Sequence, residues 1–142
     1  MSCKVELLQQ FYDRIWVAGA IEEIDRFFKR EAEASGLMHE LELTAVEFHD
    51  FVAALQEIME VSQVTLEKTI EQGEWISAMG TFEATLRASG RAITGSGMLV
   101  ARIVDDRIVE AFNCIDFLSL FEKAGLVPEN ALALGMAGHR FK

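Results

Sequence analysis

The sequence predicts an α+β fold in which one strongly curved antiparallel sheet wraps N-terminal helices, and three observations carry that prediction. Apolar residues recur at steps of three and four through roughly the first sixty positions, the period of amphipathic helices. From Ser62 the period drops to two, as in half-buried strands. Three turn signals, Gln72-Gly73, Ser89-Gly90-Arg91 and Asp105-Asp106, cut that second region into four long strands in meander order. Helices followed by strands, rather than alternating with them, is the α+β order. A chain of 142 residues with 51% hydrophobic content can build one core but is short for two, so residues 1–142 read as a single domain.

Val5, Leu8, Tyr12, Ile15 and Ala18 form the first helical stripe, widened by Phe11 and Trp16 and interrupted at Gly19. Ile21, Ile24, Phe27 and Phe28 resume the pattern among charged residues as a second, short helix. Glu31 to Met38 loses the period and passes through Ser35-Gly36, which reads as a short strand leading into a loop. Thr44 and Glu47 make a T-x-x-E capping box, in which each side chain satisfies an unpaired amide of the first turn. The third helix that starts there buries Val46, Phe48, Phe51, Val52, Leu55, Ile58 and Met59 and runs to about Val61. The strands follow as Ser62 to Glu71, Trp75 to Arg87, Ile93 to Val104 and Ile108 to Ile115. A short helix from Phe117 ends near Gly125, Pro128 fits a first-turn position, and Leu132, Leu134 and Met136 lie beyond it.

Several function classes are disfavoured by composition. A net charge of -10, with no basic stripe or tail, argues against binding a phosphate backbone. No apolar run approaches the roughly 18 residues of a bilayer span, and the start MSCKVELLQQ lacks the order of a secretory signal. The expectation is a soluble, cytoplasmic protein that engages neither nucleic acid nor membrane. Cys3 and Cys114 match no CxxC or Cys/His spacing and read as free thiols. His39 and His49 have only Glu40 and Asp50 nearby, without metal-site spacing, so no metal is expected.

A sheet curled around helices leaves a conical space, the kind of concave apolar site that takes a small hydrophobic ligand. Asp116, standing between the last strand and the next helix, is the leading candidate for chemistry there. With a straight two-residue turn at Asp105-Asp106, Gly95 would face Asp116, Gly97 would face Cys114, and Leu99 would face Phe112. The two glycines would then either open a cavity beside the carboxylate or merely curve the sheet. In a dry pocket Asp116 would suit proton removal next to a carbonyl, the first step of aldol closure and of double-bond shifts. As the residue before a helix it is equally a preferred N-cap for amides near Leu118 and Ser119, and a carboxylate has acceptor capacity for both roles.

The run Ile108 to Asp116, I-V-E-A-F-N-C-I-D, resembles the I-V-E-x-W-x-x-x-D signature of SnoaL-like polyketide cyclases in the NTF2-like superfamily, with Phe112 where Trp is usual. The Gly-Ala-Ile-Glu-Glu-Ile-Asp second helix, the Ser89 to Arg91 turn and Lys123 to Leu126 extend the resemblance over nearly the whole chain. It implies a cone-shaped α+β barrel, commonly a homodimer, with no metal or organic cofactor, and Asp116 as the acid/base of an intramolecular aldol closure. One departure stands out: the family's Gly-Thr-His on the second long strand reads Gly80-Thr81-Phe82, so a polar pocket partner is missing.

The ligand-contacting positions expected around Asp116 come from three places. Tyr12 and Trp16, one helical turn apart, could offer a hydroxyl and an indole N–H or simply be core. His39 would stand at the pocket mouth, and Phe82, Leu99, Phe112 and Cys114 would line the strands. Trp75, Met79, Thr81 and Glu83 share one strand face, and Met98, Val100 and Arg102 share another; either could be ligand wall or an outer surface joining two subunits. Glu110 reads as the partner of an Arg, because an unpaired buried carboxylate is costly. Two functions compete: a cyclase or isomerase working through Asp116, and a non-catalytic module that holds a hydrophobic ligand or dimerises.

Overall fold

The computed structural model of the chain describes residues 3–36, 42–43 and 45–140, and side chains for residues 4–28, 50 and 52–140. His39 and Thr44 lie outside the described residues, as do the side chains of Val46, Phe48, His49 and Phe51. The elements are α1 (Cys3–Phe11), a π-helical continuation (Tyr12–Val17), a 3-10 turn (Ile21–Glu23), α2 (Ile24–Phe27), β1 (Phe28–Gly36), β2 (Glu42–Leu43), α3 (Ala45–Ile58), β3 (Met59–Gln72), β4 (Trp75–Leu86), β5 (Ala92–Val104), β6 (Arg107–Ile115), α4 (Phe117–Ala124) and α5 (Ala131–Met136). This is the NTF2-like α+β architecture, with β3 to β6 as an antiparallel meander.

Two boundaries differ from the sequence pattern for the same reason. Phe28, expected in the second helix, is extended at φ -102 and ψ 137 and opens β1. Phe27 ends the helix and Phe28 starts the strand, and the change of conformation lets two consecutive aromatics both face the core. Similarly, α3 stops at Ile58 rather than near Val61, because Met59 and Val61 are buried on either side of exposed Glu60 with the period of a strand. The sheet order is β2-β1-β6-β5-β4-β3, and β1 runs parallel to β6, so a sheet expected to be wholly antiparallel contains one parallel joint.

The inner face carries Ile76 and Ala78 of β4, Leu99, Ala101 and Ile103 of β5, and Ile108 and Ala111 of β6. Leu8, Phe11, Ile15, Ile24 and Phe27 close onto it from the helices. Phe11 meets the rings of Tyr12, Phe27 and Phe28 edge-on, with centroids 5.1, 5.8 and 5.4 Å away. A second cluster, Met59, Val61, Ala84, Leu86 and Ile93, is sealed by Leu120 of α4. No helix of the described residues is long and apolar enough to cross a membrane.

The β5–β6 hairpin turns as its sequence predicts. Asp105 and Asp106 both have positive φ, 51° and 59°, the requirement of the turn type whose twist matches the flanking strands. The register, however, is not straight. Val104 pairs with Arg107 and Ile103 with Ile108, but Arg102 pairs with Glu110, which leaves Val109 as a bulge. Every later partner is displaced by one residue, so Leu99 faces Asn113, Gly97 faces Ile115, and the pairings predicted for Phe112 and Cys114 are corrected to Val100 and Met98. The extra residue lets Ile108 and Ala111, an odd number of positions apart, both enter the core.

The two sets of strand residues that could have been ligand wall or outer surface belong to one face. Trp75 lies opposite Arg102, Met79 opposite Met98, and Thr81 opposite Ser96, so all of them stand on the side away from the helices. Glu110 is also there, paired with Arg102 at 3.3 Å, while Arg102 reaches Glu74 at 3.5 Å.

Candidate functional site

A cavity of about 60 Å³ opens on the inner side of the sheet. Its floor is a gap in the side-chain pattern: Gly80 of β4 lies directly opposite Gly97 of β5, and Ala78 and Leu99 form the next pair. A Cβ at Gly80 would come 2.8 Å from the Thr65 carbonyl oxygen, so the backbone approach itself demands glycine. Val64 and Leu66 of β3 make one wall, Asn113 and Ile115 of β6 another, and Tyr12 reaches in from the helices. Phe82 closes one end. Its ring lies across Gly95, its partner in the neighbouring strand, in the space a methyl there would need.

Tyr12 owes its position to the π-helical turn that begins with it. Ala18 donates its N–H to the Asp13 carbonyl at 2.9 Å, a five-residue span, and the Gln56 amide donates to the Ile15 carbonyl at 3.1 Å. The wider turn separates Tyr12 from Trp16. Trp16 is inserted between the two core clusters and is not among the cavity-lining residues, whereas Tyr12 is. Burial pushes the Tyr12 phenol well above its usual range, so the hydroxyl stays protonated and is a hydrogen-bond donor.

Among the described residues the cavity lining contains no charged side chain. The side chain of Thr81, on the outer face, is engaged there, its hydroxyl donating to Glu67 Oε1 at 3.1 Å. The Tyr12 hydroxyl and the Asn113 amide, in contrast, have no hydrogen-bond partner among the described residues. No described side-chain polar atom is both fully buried and unpaired, so these two groups retain access to the cavity they line.

Of the positions singled out in the sequence, Tyr12, Phe82 and Leu99 line the cavity. Phe112 and Cys114 lie opposite Val100 and Met98 on the outer face, turned there by the Val109 bulge, and Cys114 is an exposed free thiol. Asn113 takes the inward position instead. The sequence offers no local sign of it, since a bulge is set by what the core accepts rather than by the hairpin residues.

Asp116 immediately follows cavity-lining Ile115 and is exposed. Its backbone N–H donates to the Ser96 carbonyl at 3.1 Å, tying the end of β6 to β5. Its side chain N-caps α4: Ser119 donates its N–H to Oδ1 at 3.1 Å. Such a cap contributes about 0.5–2 kcal/mol. The other end of α4 is closed by Gly125 at φ 75°.

No curated protein matches this chain in sequence. Solved structures share its fold at low identity. A candidate polyketide cyclase from Acidithiobacillus ferrooxidans superposes with a TM-score of 0.73 at 18% identity, covering 88% of this chain and 96% of the other. A candidate polyketide cyclase from Bacillus cereus gives 0.73 at 19% identity over 88% and 82% of the two chains. A candidate SnoaL-like polyketide cyclase from Jannaschia sp. CCS1 gives 0.71 at 16% identity over 89% and 94%. The family model for SnoaL-like polyketide cyclases matches residues 6–123, from within α1 to the penultimate residue of α4. The chain belongs to the SnoaL-like polyketide cyclase family.

Proposed function

We propose that the protein carries out acid/base chemistry on a small hydrophobic carbonyl compound, of the cyclase or isomerase type, with Asp116 moving the proton. The observation that carries this reading is the apolar inner cavity with a neutral Tyr12 donor, whose lining on β6 ends at Ile115, the residue before Asp116. Tyr12 would hold the carbonyl oxygen as it gains negative charge, and Asp116 would take the proton from the adjacent carbon. Among the described residues the Ser119 cap engages one Asp116 oxygen, which leaves the second to act as the base. At about 60 Å³ the cavity accepts the reacting end of a ligand, not a whole polycycle, since complete ligand pockets run to about 300–1,000 Å³.

The test is deuterium exchange of the α-protons of cyclohexanone in D2O, followed by NMR. Asp116→Asn keeps the capping acceptor and removes the base, so exchange is expected to fall by about 10²–10⁴-fold while the melting temperature holds. An unchanged exchange rate sinks the catalytic reading. A second reading, a cavity that holds its ligand without reaction, is favoured by the exposure and capping role of Asp116, and it is the one left standing in that case.

The outer sheet face supports pairing with a second copy of the chain. Met98 is 54% exposed and Val100 40%, and Met79, Phe112 and Trp75 adjoin them. The four strands β3 to β6, of 14, 12, 13 and 9 residues, at about 4.8 Å spacing and about 3.4 Å per residue, offer roughly 800 Å², the area one partner contributes to a standard interface of about 1,600 Å². A two-fold contact sets a patch against itself, which an apolar stripe tolerates and a single-signed charged one does not. Arg102, a cation within the stripe, is paired with Glu110 and Glu74 of its own chain.

A further inference from the structure

We propose that Asn113 is a ligand-binding residue of the inner cavity, acting with Tyr12 to select a neutral carbonyl oxygen over a carboxylate. The inference rests on the reading of the cavity as a small-molecule site but not on Asp116 being catalytic.

Among the described residues nothing else accounts for Asn113 at its position. It sits on the inner face of a strand, opposite Leu99 and two residues from Ile115, where the alternation supplies apolar side chains. Asn is a poor strand residue, and its amide, half-buried rather than sealed off, is left facing the cavity without a partner among the described residues. Phe112, an apolar neighbour that the sequence could have placed inside, is turned out by the Val109 bulge, and Asn113 is turned in.

The polar groups that Asn113 and Tyr12 present are two kinds of donor, an amide N–H and a phenol O–H, in a cavity without a charged lining residue among those described. A ketone or aldehyde oxygen has two lone pairs and accepts from both. A carboxylate would have to shed its hydration with no cation to receive it, which is prohibitive in an apolar site. An apolar ligand without oxygen would leave both donors unpaired, and a site built to hydrogen-bond a ligand oxygen discriminates strongly against the analogue lacking it.

The test uses three probes of one shape: cyclohexanone, methylenecyclohexane, in which CH2 replaces the oxygen, and cyclohexanecarboxylate. Binding is followed in ¹⁵N-correlated NMR spectra through the Asn113 side-chain amide, identified by its loss in Asn113→Leu, and through neighbouring backbone amides. In the native protein cyclohexanone shifts the Asn113 amide and binds at least fivefold more tightly than methylenecyclohexane, and the carboxylate does not bind. Asn113→Leu and Tyr12→Phe each weaken cyclohexanone about five- to tenfold and leave methylenecyclohexane unchanged or tighter. Circular dichroism checks that both variants fold; Tyr12→Phe, which removes one oxygen atom, decides the matter for the pair should Asn113→Leu not fold. Equal affinity for cyclohexanone and methylenecyclohexane, tight binding of the carboxylate, no binding of cyclohexanone up to its solubility, or ketone affinity untouched by either variant overturns the proposal. A protein that binds the ketone through Asn113 but shows no Asp116-dependent exchange keeps this proposal and loses the catalytic one, and the converse result separates them the other way.

Discussion

The two faces of the β4–β5–β6 sheet depart from the usual distribution of polarity in opposite directions. The inner face is apolar and closely packed from Ile76 to Ala111, yet toward the other end of the strands it holds two polar groups, on Tyr12 and Asn113, with no partner among the described residues. The outer face pairs Arg102 with Glu110 and Glu74, yet leaves Met98 and Val100 to solvent. On the proposals above, the donors inside that have no partner among the described residues meet a carbonyl ligand, and the apolar surface outside meets a second copy of the chain.

The comparison breaks most clearly on the outer face. Val100→Glu puts two carboxylates near one another across a two-fold contact, and the dimer dissociation constant is expected to rise by about 100-fold or more, because like charges brought together at an interface cost several kcal/mol. Sedimentation velocity measures this, and a native protein that runs as a monomer at micromolar concentration removes the second copy from the account. Val100→Ser at the same exposed position should leave the folding free energy within about 1 kcal/mol, since the side chain buries little within its own chain.

A smaller effect is expected from Gly95→Ala on the inner side. The new methyl falls on the Phe82 ring, which must leave its place, and overpacking of this kind costs about 1–3 kcal/mol. Urea titration reads the loss. A variant as stable as the native protein would mean that Phe82 moves freely and does not set the size of the cavity.

The smallest effect is the most specific to the cavity. Tyr12 is the single tyrosine, so tyrosinate absorbance near 295 nm reports on it alone. Burial raises its pKa above the usual value of about 10. The unfolded chain therefore releases this proton first as pH rises. The contribution of Tyr12 to stability is fully present below pH about 10 and declines between there and the folded-state pKa. Folded protein should show no tyrosinate at pH 10.5, where denatured protein is largely ionised. Ionisation of the folded protein at the ordinary pH would mean that the ring is not enclosed as described.

How far the fold could be read in advance depends on whether a feature is local. The helix stripes, the three turns and the four strands are carried by neighbours in sequence, and the Asp105-Asp106 turn was legible down to its two residues because positive φ is a demand on those residues alone. The parallel joint between β1 and β6 was not legible, since strand partners distant in sequence leave no periodic mark. Phe28 and Met59 were assigned to helices because an apolar residue at a helix end satisfies both periods.

The candidate site divides in the same way. From sequence alone came the fold class, the family resemblance, an inner cavity edged by Tyr12, Phe82 and Leu99, and Asp116 as a residue with both a capping and a chemical role to weigh. The tertiary structure alone decided which side of β6 faces inward. One bulged residue, Val109, admitted so that Ile108 and Ala111 could share a core, exchanges the facing sets of the rest of the strand and puts Asn113 where Phe112 and Cys114 were expected. A strand has a period of two, so a one-residue slip reverses every side chain beyond it, and only the packing of the opposite helices determines whether the slip occurs.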